Sequence, residues 1–212
     1  DADEDSYIGA ADFPYIATAF YAYSTHLLKK TAEILHNDDD VKEYSQLEKK
    51  IKDSFRNEFV TPAGRLAVPT QTACVLALEF DLVKEKDRER VIKTLVKYIK
   101  ENDTHLTTGF VGTPYLCNVL SENGYNDLAY ELVEKKDYPS WLYQVTKGAT
   151  TIWEHWNGIK EDGSFWSDDM NSFNHYAYGA IGDWLYRYVA GINLDSENPG
   201  YKHIIIKPKP GP

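Results

Sequence analysis

Residues 14–35, PYIATAFYAYSTHLLKKTAEIL, and 39–59, DDVKEYSQLEKKIKDSFRNEF, decide the fold between them. In the first, Ile16, Phe20, Tyr23, Leu27, Leu28, Ala32 and Leu35 recur at three- and four-residue steps, which predicts a helix. Its first half, YIATAFYAY, carries no charge, so this helix is expected to be largely buried. In the second, Val41, Tyr44, Leu47, Ile51, Phe55 and Phe59 form one narrow stripe among charged positions, the mark of a surface helix. The pair then recurs. Residues 70–80, TQTACVLALEF, are almost uncharged, and 87–102 return to the charged type with Val91, Leu95, Val96 and Ile99 as the stripe. Buried and charged helices alternating across short connections describe two concentric layers of antiparallel helix hairpins. No fixed repeat is present, which favours an α/α toroid over a solenoid.

Turn and cap residues punctuate the rest. Asp12 is placed to cap the first helix, with Pro14 in its first turn. Thr61-Pro62-Ala63-Gly64 is a turn, Thr113-Pro114 opens a lightly charged helix (PYLCNVLSEN), and Gly124 closes it. Asn126–Lys136 is a short charged helix and Ser140–Lys147 a lightly charged one. Ser172 is expected to cap a last helix reaching about Ala190, with Gly191 closing it. The end, YKHIIIKPKP (201–210), reads as one strand cut off by prolines, with no partner strand in the sequence. About eight helices are expected where six closed hairpins need twelve. The fold expectation is therefore all-α: an incomplete (α/α)6 toroid with one short C-terminal β-strand.

The totals narrow the function. Thirty-three acidic against 23 basic residues, a net charge of −10, disfavour a phosphate-backbone partner, and no Lys/Arg block interleaved with aromatics occurs. Cys74 and Cys117 lie in apolar helical segments, too far apart for a disulfide framework or zinc motif, and read as buried thiols. The 212 residues contain no 18-residue apolar run and no basic-plus-apolar leader. The opening DADEDSYIGAADF does not have the character of a native N-terminus, so the chain is expected to be an excised or processed piece.

All five tryptophans follow residue 140, and three of them fall in Ala149–Gly179, ATTIWEHWNGIKEDGSFWSDDMNSFNHYAYG. Asn157, Gly158, Gly163 and Asn171 interrupt the apolar pattern, so 150–172 is irregular backbone, the usual place for function on a helical scaffold. Glu154 sits between Trp153 and Trp156. Indole faces beside a carboxylate suit a sugar ring, whose C–H face stacks while its hydroxyls meet the charge. A buried aromatic cluster, with Glu154 satisfied by backbone donors, fits the same residue types. Asp162, Asp168 and Asp169 read as solvated turn residues, and Asp38-Asp39-Asp40 as acids favoured at a helix start. His175 has no neighbouring Cys or His pattern that would suggest a metal.

The stretches PYIATAFYAYSTHLL (14–28), TQTACVLALEFDLV (70–83), HLTTGFVGTPYL (105–116), YPSWLYQVTKGATTIWEHWNGI (138–159) and MNSFNHYAYGAIGDWLYRYVAGI (170–192) resemble the bacterial α-L-rhamnosidases of glycoside hydrolase family 78. The resemblance covers nearly the whole chain. It implies an (α/α)6 barrel that removes terminal α-L-rhamnose with inversion. It makes Glu154, in TTIWE, the general base, and His175, in NSFNHYAYG, a sugar contact. Trp156, Trp153 and Thr108 join them as candidate substrate-binding residues, Thr108 within the expected rim loop Thr107-Thr108-Gly109-Phe110. The family's general acid belongs to an acidic, arginine-containing motif that these 212 residues lack. The expected boundary sets a partial barrel at 1–192 and the start of a β-sandwich at 193–212. A rhamnose-containing oligosaccharide or glycoside is the expected partner, with no cofactor, metal, nucleic acid or membrane, and with self-association through the open edge of the ring. A non-catalytic sugar-binding module and a toroid glycosidase for another sugar are the competing readings.

Overall fold

A computed structural model describes residues 11–211. The chain is all-α apart from one small ribbon, and it divides into two compact units, with Tyr98 ending the first and Ile99 opening the second. No helix among the described residues is long and apolar enough to cross a membrane.

In the first unit α1 (Phe13–Ile34) and α2 (Asp38–Phe59) pack along their length across a three-residue connection, and so run antiparallel. The start of α2 is fixed chemically: Asn37 accepts a hydrogen bond from Asp40 N–H, and Asp38, Asp39 and Asp40 lie at the positive end of the helix. Asp12 occupies the N-cap position of α1, but its side chain makes no capping bond. Tyr15, Ala19 and Ala22 are fully buried, with the Tyr15 ring set edge-on to Phe55 (4.8 Å) and Phe59 (5.1 Å). The Tyr15 hydroxyl donates to Ala73 O at 2.7 Å, tying α1 to α3 (Gln71–Glu79). Burial of this kind raises the phenol pKa well above its ordinary value. Residues 71–78 of α3 are all buried, as the uncharged run predicts. α1 itself is buried on one face only. Phe13, Tyr21, Leu27, Leu28 and Ile34 are exposed, because α2 and α3 cover a single side of a helix that is apolar on more than one. In α4 (Glu85–Glu101) Val91, Leu95 and Ile99 of the expected stripe are buried, while Val96 is only half-buried and Ile92 takes the fourth buried place.

The second unit contains α5 (Thr113–Glu122), α6 (Asn126–Glu134) and α7 (Trp141–Thr146). Gly124 closes α5 at φ +87°, and α5 packs against α6 and against the last helix. That last helix begins later than the sequence suggests and is not uniform. A 3₁₀ turn (Ala177–Ala180) leads into one α turn, α8 (Ile181–Trp184), and a π turn (Leu185–Val189). Ser172 is not its cap. Its N–H and C=O are both used across the loop, and the chain stays irregular to Tyr176. Cys74 and Cys117 are buried free thiols whose pKa burial pushes up to about 12.

The terminal strand does have a partner. β2 (Ile204–Ile206) pairs antiparallel with β1 (Ile192–Leu194) in the register Ile192↔Ile206, Asn193↔Ile205, Leu194↔Ile204. The partner was masked in the sequence because β1 is only three residues long and directly follows Gly191, which ends the last helix at φ +71°.

The apolar stripe of α2 hides one charge. Glu48 is buried, and its carboxylate meets Lys29 at 2.6 Å, Lys52 at 2.9 Å and His26 at 3.1 Å. Burial pushes this carboxyl up, but hydrogen bonds from Lys29, Lys52 and His26 and the charge of Lys52 outweigh it and hold the pKa down to about 2. A lowered folded-state pKa stabilises the fold above the ordinary glutamate value and loses that contribution as pH falls towards 2. Glu48→Gln is expected to cost about 3 kcal/mol near neutral pH, since it leaves two lysines without their anion. Denaturant titrations of both proteins should converge as pH falls from about 4.5 towards 2; a difference that persists unchanged at low pH would exclude the ion cluster as its source.

Candidate active site

The loop after α7 is held by side chains rather than by regular backbone pairing. Ser140 starts α7 by accepting a hydrogen bond from Tyr143 N–H at 3.0 Å, and Gly148 releases the chain at φ +90°. Three side chains of this short helix then reach forward. The Trp141 indole donates to Tyr178 O at 2.9 Å, and the Tyr143 hydroxyl to Ile159 O at 2.9 Å. The Gln144 amide accepts from Trp153 N–H and donates to His155 C=O, both at 3.2 Å.

Within the loop, residues 152–154 lie against 172–175. Glu154 N–H donates to Ser172 O and His175 N–H to Ile152 O, each at 2.8 Å, and the Thr151 hydroxyl donates to Phe173 O. The intervening excursion folds back through an isolated bridge, Ile159↔Phe165. At its tip Asp162 Oδ1 accepts from Ser164 N–H (2.9 Å) and from its hydroxyl (2.7 Å), which holds this carboxyl below the usual range. Asp162, Asp168 and Asp169 are all exposed, as turn aspartates are expected to be. Gly158 is tightly enclosed: a Cβ there would lie 3.0 Å from Asn171 Oδ1 and 3.2 Å from the Trp153 ring.

These contacts place Glu154 and His175 on facing segments. Glu154 is half-buried. Its Oε2 accepts a 2.8 Å hydrogen bond from Ser172 N–H, while Oε1 has no hydrogen-bond partner among the described residues. One oxygen is thus satisfied by backbone and one is left over. His175 Nδ1 accepts from Ala177 N–H at 3.3 Å, so the proton of the neutral ring sits on Nε2. The imidazole is sandwiched between Phe110 (centroids 4.9 Å apart, 15° between planes) and Tyr176 (5.3 Å, 9°). The 107–110 loop therefore meets the histidine through Phe110.

Thr108 is buried instead, sharing its hydroxyl with that of Thr113 at 2.8 Å. Trp153 and Trp156 are buried as well. Trp153 meets the edge of Phe173, and Trp156 stacks on Tyr178 at 3.8 Å with its other contact edge-on to Trp141. Burial first, then the charges of Tyr138 and Glu154, raise the Tyr178 pKa and keep its phenol protonated. Burial lowers the pKa of His155, against the pull of the adjacent Glu154, and its ring stacks on Trp166 at 3.7 Å. Sequence reasoning passed over Gln144, Ser172 and Tyr178. Only Tyr178, inside an aromatic run, carried a signal that could have marked it.

Among the described residues one cluster brings metal-type donors together: Asp103, His105 and Asp137, with their donor atoms within 4.8 Å of one another. Within it His105 Nε2 lies 3.2 Å from Asp137, and Lys135 Nζ donates to the backbone C=O of Asp103 at 3.1 Å.

The chain belongs to the family of the bacterial alpha-L-rhamnosidase 6 hairpin glycosidase domain, whose description matches residues 4–189. It is 44% identical over 204 residues to an alpha-L-rhamnosidase of Formosa agariphila, covering 95% of this chain and 22% of that protein. Among solved structures, it resembles the Streptomyces avermitilis alpha-L-rhamnosidase complexed with L-rhamnose (TM-score 0.88, 40% identity, all of this chain and 20% of that one). It also resembles the native enzyme of Aspergillus terreus (TM-score 0.94, 33% identity, all of this chain and 24% of that one). The chain spans about a fifth of the length of the curated relatives it matches.

The packing separates two roles that residue types alone could not. Trp156→Ala should cost about 3–5 kcal/mol of stability, because it removes a buried ring from between Trp141 and Tyr178. His175→Ala, half-buried and stacked only on the exposed rings of Phe110 and Tyr176, should cost less, about 1–2 kcal/mol. Chemical denaturation of the two variants would reveal an inverted order if Trp156 were a surface platform.

Proposed function

We propose that the chain is part of an inverting glycoside hydrolase that removes terminal α-L-rhamnose, with Glu154 as the general base. The observation that supports this most is the divided state of the Glu154 carboxylate. Ser172 N–H fixes Oε2, and Oε1 is left to accept the proton of an attacking water. With Nδ1 of His175 engaged by Ala177 N–H, its Nε2 is the ring nitrogen left to meet a sugar hydroxyl, and the rhamnose-bound relative supports L-rhamnose as the sugar. Inversion needs a second carboxyl roughly 6.5–9.5 Å away to protonate the leaving oxygen. In this reading that acid is contributed from outside these 212 residues, which lack its motif. Trp153, Trp156 and Thr108, all buried, shape the site from beneath. Residues from 193 onward begin a following β-rich domain, of which the short ribbon is the first part.

The test uses a protein that contains this chain and turns over 4-nitrophenyl α-L-rhamnoside. Glu154→Gln should lower kcat by roughly 10²–10⁴-fold with rhamnose affinity largely kept, since the base acts on water and not on the bound ground state. His175→Ala should weaken rhamnose affinity together with rate. Near-normal turnover by Glu154→Gln would make Glu154 a structural carboxylate.

The 212 residues alone should hydrolyse the same substrate negligibly, because a base without its acid leaves the aglycone unassisted. They should also self-associate through the α1 face that exposes Phe13, Leu27, Leu28, Ile34 and Leu35. Turnover by this chain alone, or a stable monomer in light scattering at tens of micromolar, would count against these two expectations respectively.

A further inference from the structure

Glu154 is held from two sides, and only one of them is the Ser172 pairing. The other is Gln144. Its side chain is 2% exposed, and it sits on α7 ten residues upstream. Its amide uses both ends on the same short stretch: Oε1 takes the N–H of Trp153 and Nε2 gives to the C=O of His155. These are the two backbone groups on either side of Glu154. A single planar amide thus spans the base and fixes the direction in which its Cα–Cβ bond leaves the chain. The backbone of Gln144 is anchored in turn, since its C=O accepts from Ala149 N–H at 3.0 Å and from Lys147 N–H at 3.1 Å. The amide therefore cannot drift without unwinding the end of α7.

Nothing else in the surroundings explains a buried primary amide at this position. The helix stripe would accept Leu or Met, and burying an amide is costly unless both of its ends are bonded. We propose that Gln144 is the positioning residue for Glu154, holding the carboxylate where Oε1 can meet the attacking water. The proposal rests on the general-base reading of Glu154. It adds that the geometry of the base is set by α7 as well as by the loop itself. A displacement of about 1 Å at a reacting group can cost on the order of 10²-fold in rate, so loss of one bracket should be visible in kcat.

The decisive measurement is a double-mutant cycle in a protein that contains this chain and hydrolyses 4-nitrophenyl α-L-rhamnoside. Gln144→Met keeps length and volume but removes both hydrogen bonds. It should lower kcat roughly 10- to 100-fold while KM moves by about twofold or less. In a Glu154→Gln background the same change should cost less than about twofold, because a residue that acts only through the base has nothing left to position. A general packing role would instead lower kcat by the same factor in both backgrounds, and that result overturns the proposal. So does wild-type kcat in Gln144→Met when Glu154→Gln has lost it, and in that case the general-base reading survives. Near-normal turnover by Glu154→Gln sinks the general-base reading and the proposal together. If near-UV circular dichroism shows Gln144→Met unfolded, the cycle is run with Gln144→Glu, which keeps the acceptor for Trp153 N–H and loses the donor to His155. The same non-additivity is then required, with a smaller loss in the single variant.

Discussion

The second unit depends on one pairing: segment 152–154 against segment 172–175, through two backbone bonds of 2.8 Å and the return bond from Ser172 N–H to the Glu154 carboxylate. Residues 155–171 separate the paired segments, and they contain no helix and only an isolated bridge. Backbone groups in such a stretch must still be satisfied or solvated. α7 supplies much of what is missing, through the side chains of Trp141, Tyr143 and Gln144, each bonded to a carbonyl in or just beyond the loop. A six-residue helix is a poor structure by itself. Here it serves as a rigid peg, capped by Ser140, on which a long loop is hung.

The same logic explains why Glu154 can remain partly unsatisfied. A carboxylate on a mobile loop would find a partner for both oxygens. One whose main chain is bracketed by Gln144 and paired to Ser172 is held with Oε2 engaged and Oε1 without a described partner. The buried rings complete the constraint. Trp156 is trapped between Tyr178 and Trp141, and Trp153 against Phe173, so the residues flanking Glu154 are anchored in the core while Glu154 itself is not.

What was legible in the sequence follows from this division. Helices α1 to α6 write their positions into a 3.6-residue period, so these could be read to within a few residues, and the hairpin class with them. The buried face of α1 could not, since Tyr15, Ala19 and Ala22 turn inward while Leu27, Leu28 and Leu35 of the apolar stripe stay exposed. Glu48 broke the rule locally: a charged residue in the stripe of α2 looks like solvent-facing punctuation, and its three partners, Lys29, Lys52 and His26, come from two different helices. The loop writes nothing periodic. Its motif marked Glu154 and His175, yet gave no means of telling that both tryptophans turn inward or that the Thr108 hydroxyl is spent on Thr113. Ser172 was misread for a related reason. A serine before an aromatic run is a good helix cap, but here the cross-loop pairing takes its backbone first. Gln144 was invisible, because a glutamine in a lightly charged helix carries no signal until the peptides it bonds are placed beside it.

At the end of the described chain Lys209 makes the densest set of ties to the rest of its unit. Lys209 N–H donates to Tyr188 O, its C=O accepts from the Tyr130 hydroxyl, and its ammonium donates to Ser121 O and lies 5.1 Å above the Tyr188 ring. Just upstream, Gly191 lies so close to Pro208 that a Cβ would come within 2.1 Å of the proline nitrogen. The ribbon and tail thus behave as a buckle, with Lys209 as its tongue and Gly191 as its slot. Such a buckle opens as one local unfolding unit, separately from the helices beneath it. Proteolytic nicking would then read the buckle's own free energy of opening rather than that of the domain, and any side chain at Gly191 would leave it permanently undone.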